Sequence, residues 1–138
     1  MGAEKRYEEI MIGEKASVSK IITESDISGF ANISGDYNPI HLNAEYASKT
    51  RFKKRIAHGM LTSSLISAVL GTQLPGENTL YLSQNVKFLA PAYIGDHLTA
   101  TVEVKEKRDE KKIIILNTIV KNQLGNEILA GEAVVKKM

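Results

Sequence analysis

The stretch "HGMLTSSLISAVLG", His58 to Gly71, decides the fold. Met60, Leu61, Leu65, Ile66, Val69 and Leu70 cover most of the circumference of a helix. A surface helix keeps a polar face, whereas one that is apolar nearly all round is buried. Gly71 and Pro75 predict its end. Something must therefore wrap this helix.

The sequence that follows supplies the wrapping. Leu98, Ala100, Val102 and Val104 alternate with Thr99, Thr101 and Glu103, the pattern of a strand with one buried face. "IIILNTIV" reads as a more heavily buried strand, and "EILAGEAVVKK" closes the chain. Leu80 and Leu82, then Val86 and Phe88, predict a strand whose phase shifts near "SQN". "KRDEKK" and "QLGN" are hairpin loops, and loops this short imply antiparallel pairing. The expected class is α+β, a largely antiparallel sheet facing one apolar helix.

Upstream, Thr23 to Leu74 is mostly helical. "TESDISGFANIS" opens with Thr23 and Asp26 in a capping-box pattern, and Gly35 suits the helix stop. Asn43 is an expected cap for the short helix in "NAEYASKT".

Composition narrows the function. The chain has 138 residues, 43% of them hydrophobic and 25% charged, which suits one soluble domain over residues 1–138. A net charge of +2, with no basic block interleaved with aromatics, argues against nucleic acid as a partner. The absence of cysteine excludes disulfides, thiolate nucleophiles and Cys-based metal centres, and fits a reducing cytoplasm. "MGAEKRYEEI" lacks the apolar core of a signal peptide, and Arg6 stands where a myristoylation motif wants Ser or Thr. No run reaches the roughly 18 apolar residues of a membrane span.

Two short stretches carry candidate chemistry. In "SGDYNPIH", Ser34 to His41, the Asn38-Pro39 turn can bring Asp36 and His41 to face one volume. A carboxylate and an imidazole in one pocket are a ready acid–base pair. A turn aspartate and a loop histidine satisfied by a carbonyl are the plainer alternatives. No motif for a metal accompanies them, and Ile40 breaks the resemblance to a calcium loop. In "IAHGM", His58 and Gly59 open the apolar helix, where the first amides are free and sit at the positive end of the dipole. Gly59 would let a ligand oxygen approach such an amide closely, the geometry of an oxyanion hole. Ser63 and Ser67 share a helix face with Gly59, where back-bonding to the preceding turn competes with a role in the site.

Together, "GDYNPIHLNAEYA", "IAHGM", "NVKFLAPAYIGDHL" and "GEAVVKK" resemble the R-specific enoyl-CoA hydratases of the MaoC-like dehydratase family, over nearly the whole chain. The resemblance implies the hot-dog fold, an antiparallel sheet wrapped around a long central helix, and a homodimer. It implies catalysis by Asp36 and His41, an oxyanion hole at the Gly59 amide, and support from Ser67; Asn38 and His58, which flank these groups in the sequence, are the further supporting candidates. It implies hydration of trans-2-enoyl-CoA to (R)-3-hydroxyacyl-CoA with no cofactor and no metal. The rival expectations are a dehydratase acting on acyl carrier protein, an acyl-CoA thioesterase, and a non-catalytic acyl-CoA-binding protein. Arg51, Lys53, Lys54, Arg55 and Lys87 are the cations available for the CoA phosphates.

Overall fold

The computed structural model describes residues 4–138, so the Met-Gly start lies outside the described residues. Five strands form one sheet: β1 (Lys15–Ile21), β2 (Thr79–Phe88), β3 (His97–Arg108), β4 (Ile113–Lys121) and β5 (Glu127–Lys137). Their order is β1-β3-β4-β5-β2, and every neighbouring pair is antiparallel. The helices α1 (Glu24–Ser34), α2 (Pro39–Leu42), α3 (Ala44–Ser48) and α4 (Gly59–Thr72) all fall between β1 and β2. The architecture is the expected α+β sheet around α4.

The alternation in β3 holds residue for residue. Leu98, Ala100, Val102 and Val104 are buried beneath α4, whose Leu65, Ile66, Val69 and Leu70 complete the same core. The predicted phase shift in β2 is a register irregularity against β5 between Tyr81 and Ser83. On the outer side of β5, Gly131 lies against β2 so closely that a Cβ there would sit 1.9 Å from the Asn85 carbonyl oxygen.

The helix signals are also met. Thr23 and Asp26 form a reciprocal capping box on α1, and Gly35 ends it with φ of 80°. The Asn43 side chain accepts from the Tyr46 amide to cap α3.

Two features differ from expectation. β1 had no strong signal, because only Ala16 and Val18 turn inward while Ser17 and Ser19 face hydroxyls on Thr101 and Thr99. And α4 is not buried all round. Met60, Ser64, Ser67 and Gly71, at helical spacing, form an exposed stripe. A five-strand sheet covers one side of a helix about 10 Å across and leaves the other open. Among the described residues, no helix is long and apolar enough to cross a membrane.

Candidate active site

A cavity of about 570 Å³ opens between the N-terminus of α4, the end of β2 and the α1–α2 connection. Asp36, His41, His58 and Gly59 all line it. The side-chain donor atoms of Asp36, His41 and His58 lie within 4.8 Å of one another. The two motifs, separated in sequence, thus meet in one volume.

Each group is set by its own stretch of chain. Gly35 turns the chain out of α1, and the Asp36 carboxylate accepts from the Asn38 amide at 3.1 Å. The Asn38 side chain in turn accepts from the Ile40 amide at 3.2 Å and starts α2 with Pro39 in its first turn. That short helix carries His41 into the interior. Asp36 stays exposed while His41 is buried.

The tautomer of His41 follows from its partner. Nδ1 lies 2.7 Å from the Ile56 carbonyl oxygen, which can only accept, so Nδ1 carries the proton and Nε2 the lone pair. Burial pulls the His41 pKa below its usual 6.5, the Ile56 hydrogen bond opposes this, His58 lowers it further and Asp36 raises it. His41 is therefore a neutral base at neutral pH. Two hydrogen bonds of about 2.8 Å can span up to about 5.6 Å, so one water fits between the Asp36 carboxylate and a ring nitrogen at this separation.

His58 lies beneath. Its Nε2 donates to the Asp36 carbonyl oxygen at 3.0 Å. Its ring stacks on His41 with centroids 3.9 Å apart and planes inclined by 26°.

Gly59 is the first residue of α4, so its amide has no acceptor within the helix and lies at the positive end of the dipole. Ser63 back-bonds to the Gly59 carbonyl at 2.9 Å, the plainer of its two readings. Ser67 lies on the exposed stripe of α4 and does not line the cavity.

Several participants were not read from the sequence. Thr62 is buried, lines the cavity and donates to the Gly59 carbonyl at 2.6 Å. Phe30 packs its ring against His58 at 4.8 Å. Arg55 was a candidate for CoA phosphates, but its guanidinium is already engaged. It donates to the His41 carbonyl at 2.6 Å and to both Glu24 oxygens at 2.8 and 2.6 Å, holding the Glu24 carboxyl below its usual range. Of the five cations, Arg51 lines the cavity. Helical spacing could have pointed to Thr62, one turn after Gly59; nothing local marks the Ile56 carbonyl as the partner of His41.

Comparison with known proteins places this arrangement. Residues 10–124 match the family described as MaoC like domain. The chain is 50% identical over 129 residues to the (R)-specific enoyl-CoA hydratase of Rhodospirillum rubrum, covering 94% of this chain and 89% of that protein. It is 46% identical over 131 residues to the 3-hydroxybutyryl-CoA dehydratase of Methylorubrum extorquens, covering 94% and 82%. Among solved structures, the (R)-hydratase from Aeromonas caviae involved in PHA biosynthesis superposes with a TM-score of 0.92 at 42% identity, over 94% of this chain and 98% of that one. The R-hydratase of Pseudomonas aeruginosa gives 0.92 at 45% identity, over 96% and 84%.

Proposed function

The chain belongs to the MaoC-like domain family, and from that premise we propose that it is an (R)-specific enoyl-CoA hydratase, adding water reversibly to trans-2-enoyl-CoA. The observation that carries this reading is the meeting of Asp36, His41 and the α4 N-terminus in one cavity.

The chemistry follows from the positions. The Gly59 N–H polarises the thioester carbonyl and draws electrons from the β-carbon. A water held between Asp36 and His41 Nε2 attacks that carbon as the Asp36 carboxylate takes one of its protons. The electron pair of the double bond moves onto the α-carbon and the carbonyl. The pair then returns a proton to the α-carbon from the same face. One water has been added across the double bond and the thioester is intact. His41, neutral by burial, is suited to orient the water and share its proton.

We also propose a homodimer. β2 is an edge strand with Leu80, Tyr81, Leu82 and Phe88 exposed, and the open stripe of α4 adds Met60. An exposed apolar edge of this kind invites pairing with a second copy.

The test follows crotonyl-CoA by loss of enoyl absorbance beside a thiol reagent, with the product resolved by enantiomer. Loss of conjugation, no free thiol and an R product are expected. Thiol release matching substrate loss overturns the reading in favour of a thioesterase.

A further inference from the structure

His58 is more deeply buried than either residue of the acid–base pair, at 2% exposure. Its surroundings are unlike those of a core histidine. One ring nitrogen has a partner, the Asp36 carbonyl at 3.0 Å. The other, Nδ1, is buried with no hydrogen-bond partner among the described residues. The carbonyl partner can only accept, so the proton sits on Nε2 and Nδ1 is an unpaired acceptor. Leaving a buried acceptor unpaired costs stability, whereas an apolar ring of similar shape would avoid that cost. An unsatisfied polar group in a native fold calls for an explanation other than packing.

The contacts of His58 supply one. The ring packs against Phe30 at 4.8 Å and stacks on His41 at 3.9 Å, so it braces the plane of the His41 imidazole. The Nε2–H holds the backbone of Asp36, the residue that carries the carboxylate. The His58 carbonyl accepts from the Leu61 and Thr62 amides, which makes the same residue the N-cap of α4, directly before Gly59. One residue therefore touches every part that must keep register in the reaction: the base, the carboxylate loop and the polarising amide.

We propose that His58 is a positioning residue for hydration, spacing the Asp36–His41 pair against the Gly59 amide and locking the His41 ring with Nε2 toward the water. The proposal rests on the hydratase reading for its kinetic consequence, and on geometry alone for its effect on His41.

The groups that face His41 are His58 from the α4 cap and Asp36 from the loop before α2. Arg55, paired with Glu24 of α1, binds its carbonyl. Removing His58 removes a neighbour that disfavours the protonated form of His41. The His41 titration should therefore move to higher pH.

Two variants separate the contacts. His58→Gln can keep an N–H for the Asp36 carbonyl and loses the ring. His58→Phe keeps a ring on His41, loses the N–H and removes the unpaired acceptor. Folding is checked by thermal melts, the His41 tautomer and titration by NMR of the imidazole nitrogens, and turnover with crotonyl-CoA. His58→Phe is expected to melt no lower than wild type yet turn over at least about 10-fold more slowly. His58→Gln is expected to lower kcat with KM within about 2-fold, and to shift the His41 midpoint upward. The NMR arm reads the proposal even if the wild type fails to hydrate crotonyl-CoA, an outcome that would instead sink the hydratase reading. The tautomer, set by the Ile56 carbonyl, should stay as it is; an unchanged His41 titration midpoint in the folded variants overturns the proposal. So does wild-type turnover in both.

Discussion

Phe88 and Gly59 are in such close contact that a Cβ on the glycine would lie 2.7 Å from the Phe88 ring. The ring belongs to the end of β2 and is more than half exposed, so it can yield. The Gly59 amide cannot be moved without disturbing α4. Gly59→Ala is therefore expected to fold normally, with a melting temperature within a few degrees of wild type. Its added methyl and the displaced ring crowd the place where the thioester must sit. A fall in kcat/KM of at least about 10-fold is expected, because the crowding keeps the thioester oxygen away from an amide that is still present. Wild-type kcat/KM in this variant would remove Gly59 from the site.

Asp36→Asn and His41→Gln should each lower kcat by about 10² or more while the fold stays intact, because the proposed mechanism has both groups hold the same water. Asn cannot take a proton, yet its side-chain oxygen can still accept from the Asn38 amide. Circular dichroism and melting checked beside single-substrate kinetics decide the matter; near wild-type turnover in either folded variant contradicts the mechanism.

The pH dependence follows from His41. Its folded pKa is held below the ordinary 6.5 by burial, so it stays neutral and basic under mildly acidic conditions. The acid limb of kcat/KM that reports His41 should have its midpoint below 6.5. The stability effect has the same origin. A histidine whose folded pKa is depressed contributes stability that is present above the unfolded value and lost as pH falls through the folded one. Melting temperature should decline on acidification below about 6.5, and His41→Gln should flatten that decline. An acid limb centred above 7 contradicts the burial argument.

Light scattering at micromolar concentration should give roughly twice the chain mass of 15.2 kDa. Leu82→Lys, on the exposed edge strand, should shift the equilibrium toward monomer, since a charge placed on a sheet edge blocks pairing. A wild-type monomer at that concentration excludes the dimer.

Much of the fold was legible because β3 and α4 carry opposite periodicities. Leu98 to Val104 repeat every second residue, and Leu65 to Leu70 repeat at helical spacing with no polar face of charged residues. β1 was not legible, since Lys15–Ile21 is an edge strand that buries little on either face. The open stripe of α4 escaped for a different reason: Ser64, Ser67 and Gly71 are small residues that a buried helix tolerates as readily as an exposed one, so the apolar count around them did not mark the face as open. In the site, Asp36, His41 and Gly59 were legible from residue type and their turn and cap positions. Phe30, the Ile56 carbonyl and the engagement of Arg55 with Glu24 and the His41 carbonyl were not. They reach the site across the fold, and a backbone carbonyl carries no residue identity at all.

The order of strands also dictates the order in which the chain can assemble. β3, β4 and β5 are successive hairpins, so their pairing closes only short loops. Ser19 meets Thr99 across 80 residues, and Asn85 meets Glu132 across 47. Long loops cost more entropy to close and slow the steps that need them. The three-strand meander is thus the natural nucleus, with β1 and β2 added afterwards. Asp36, His41 and Gly59 all lie in the segment between those two late strands. During refolding, strand signal should recover first, and catalytic competence should lag until the outer strands have closed around α4.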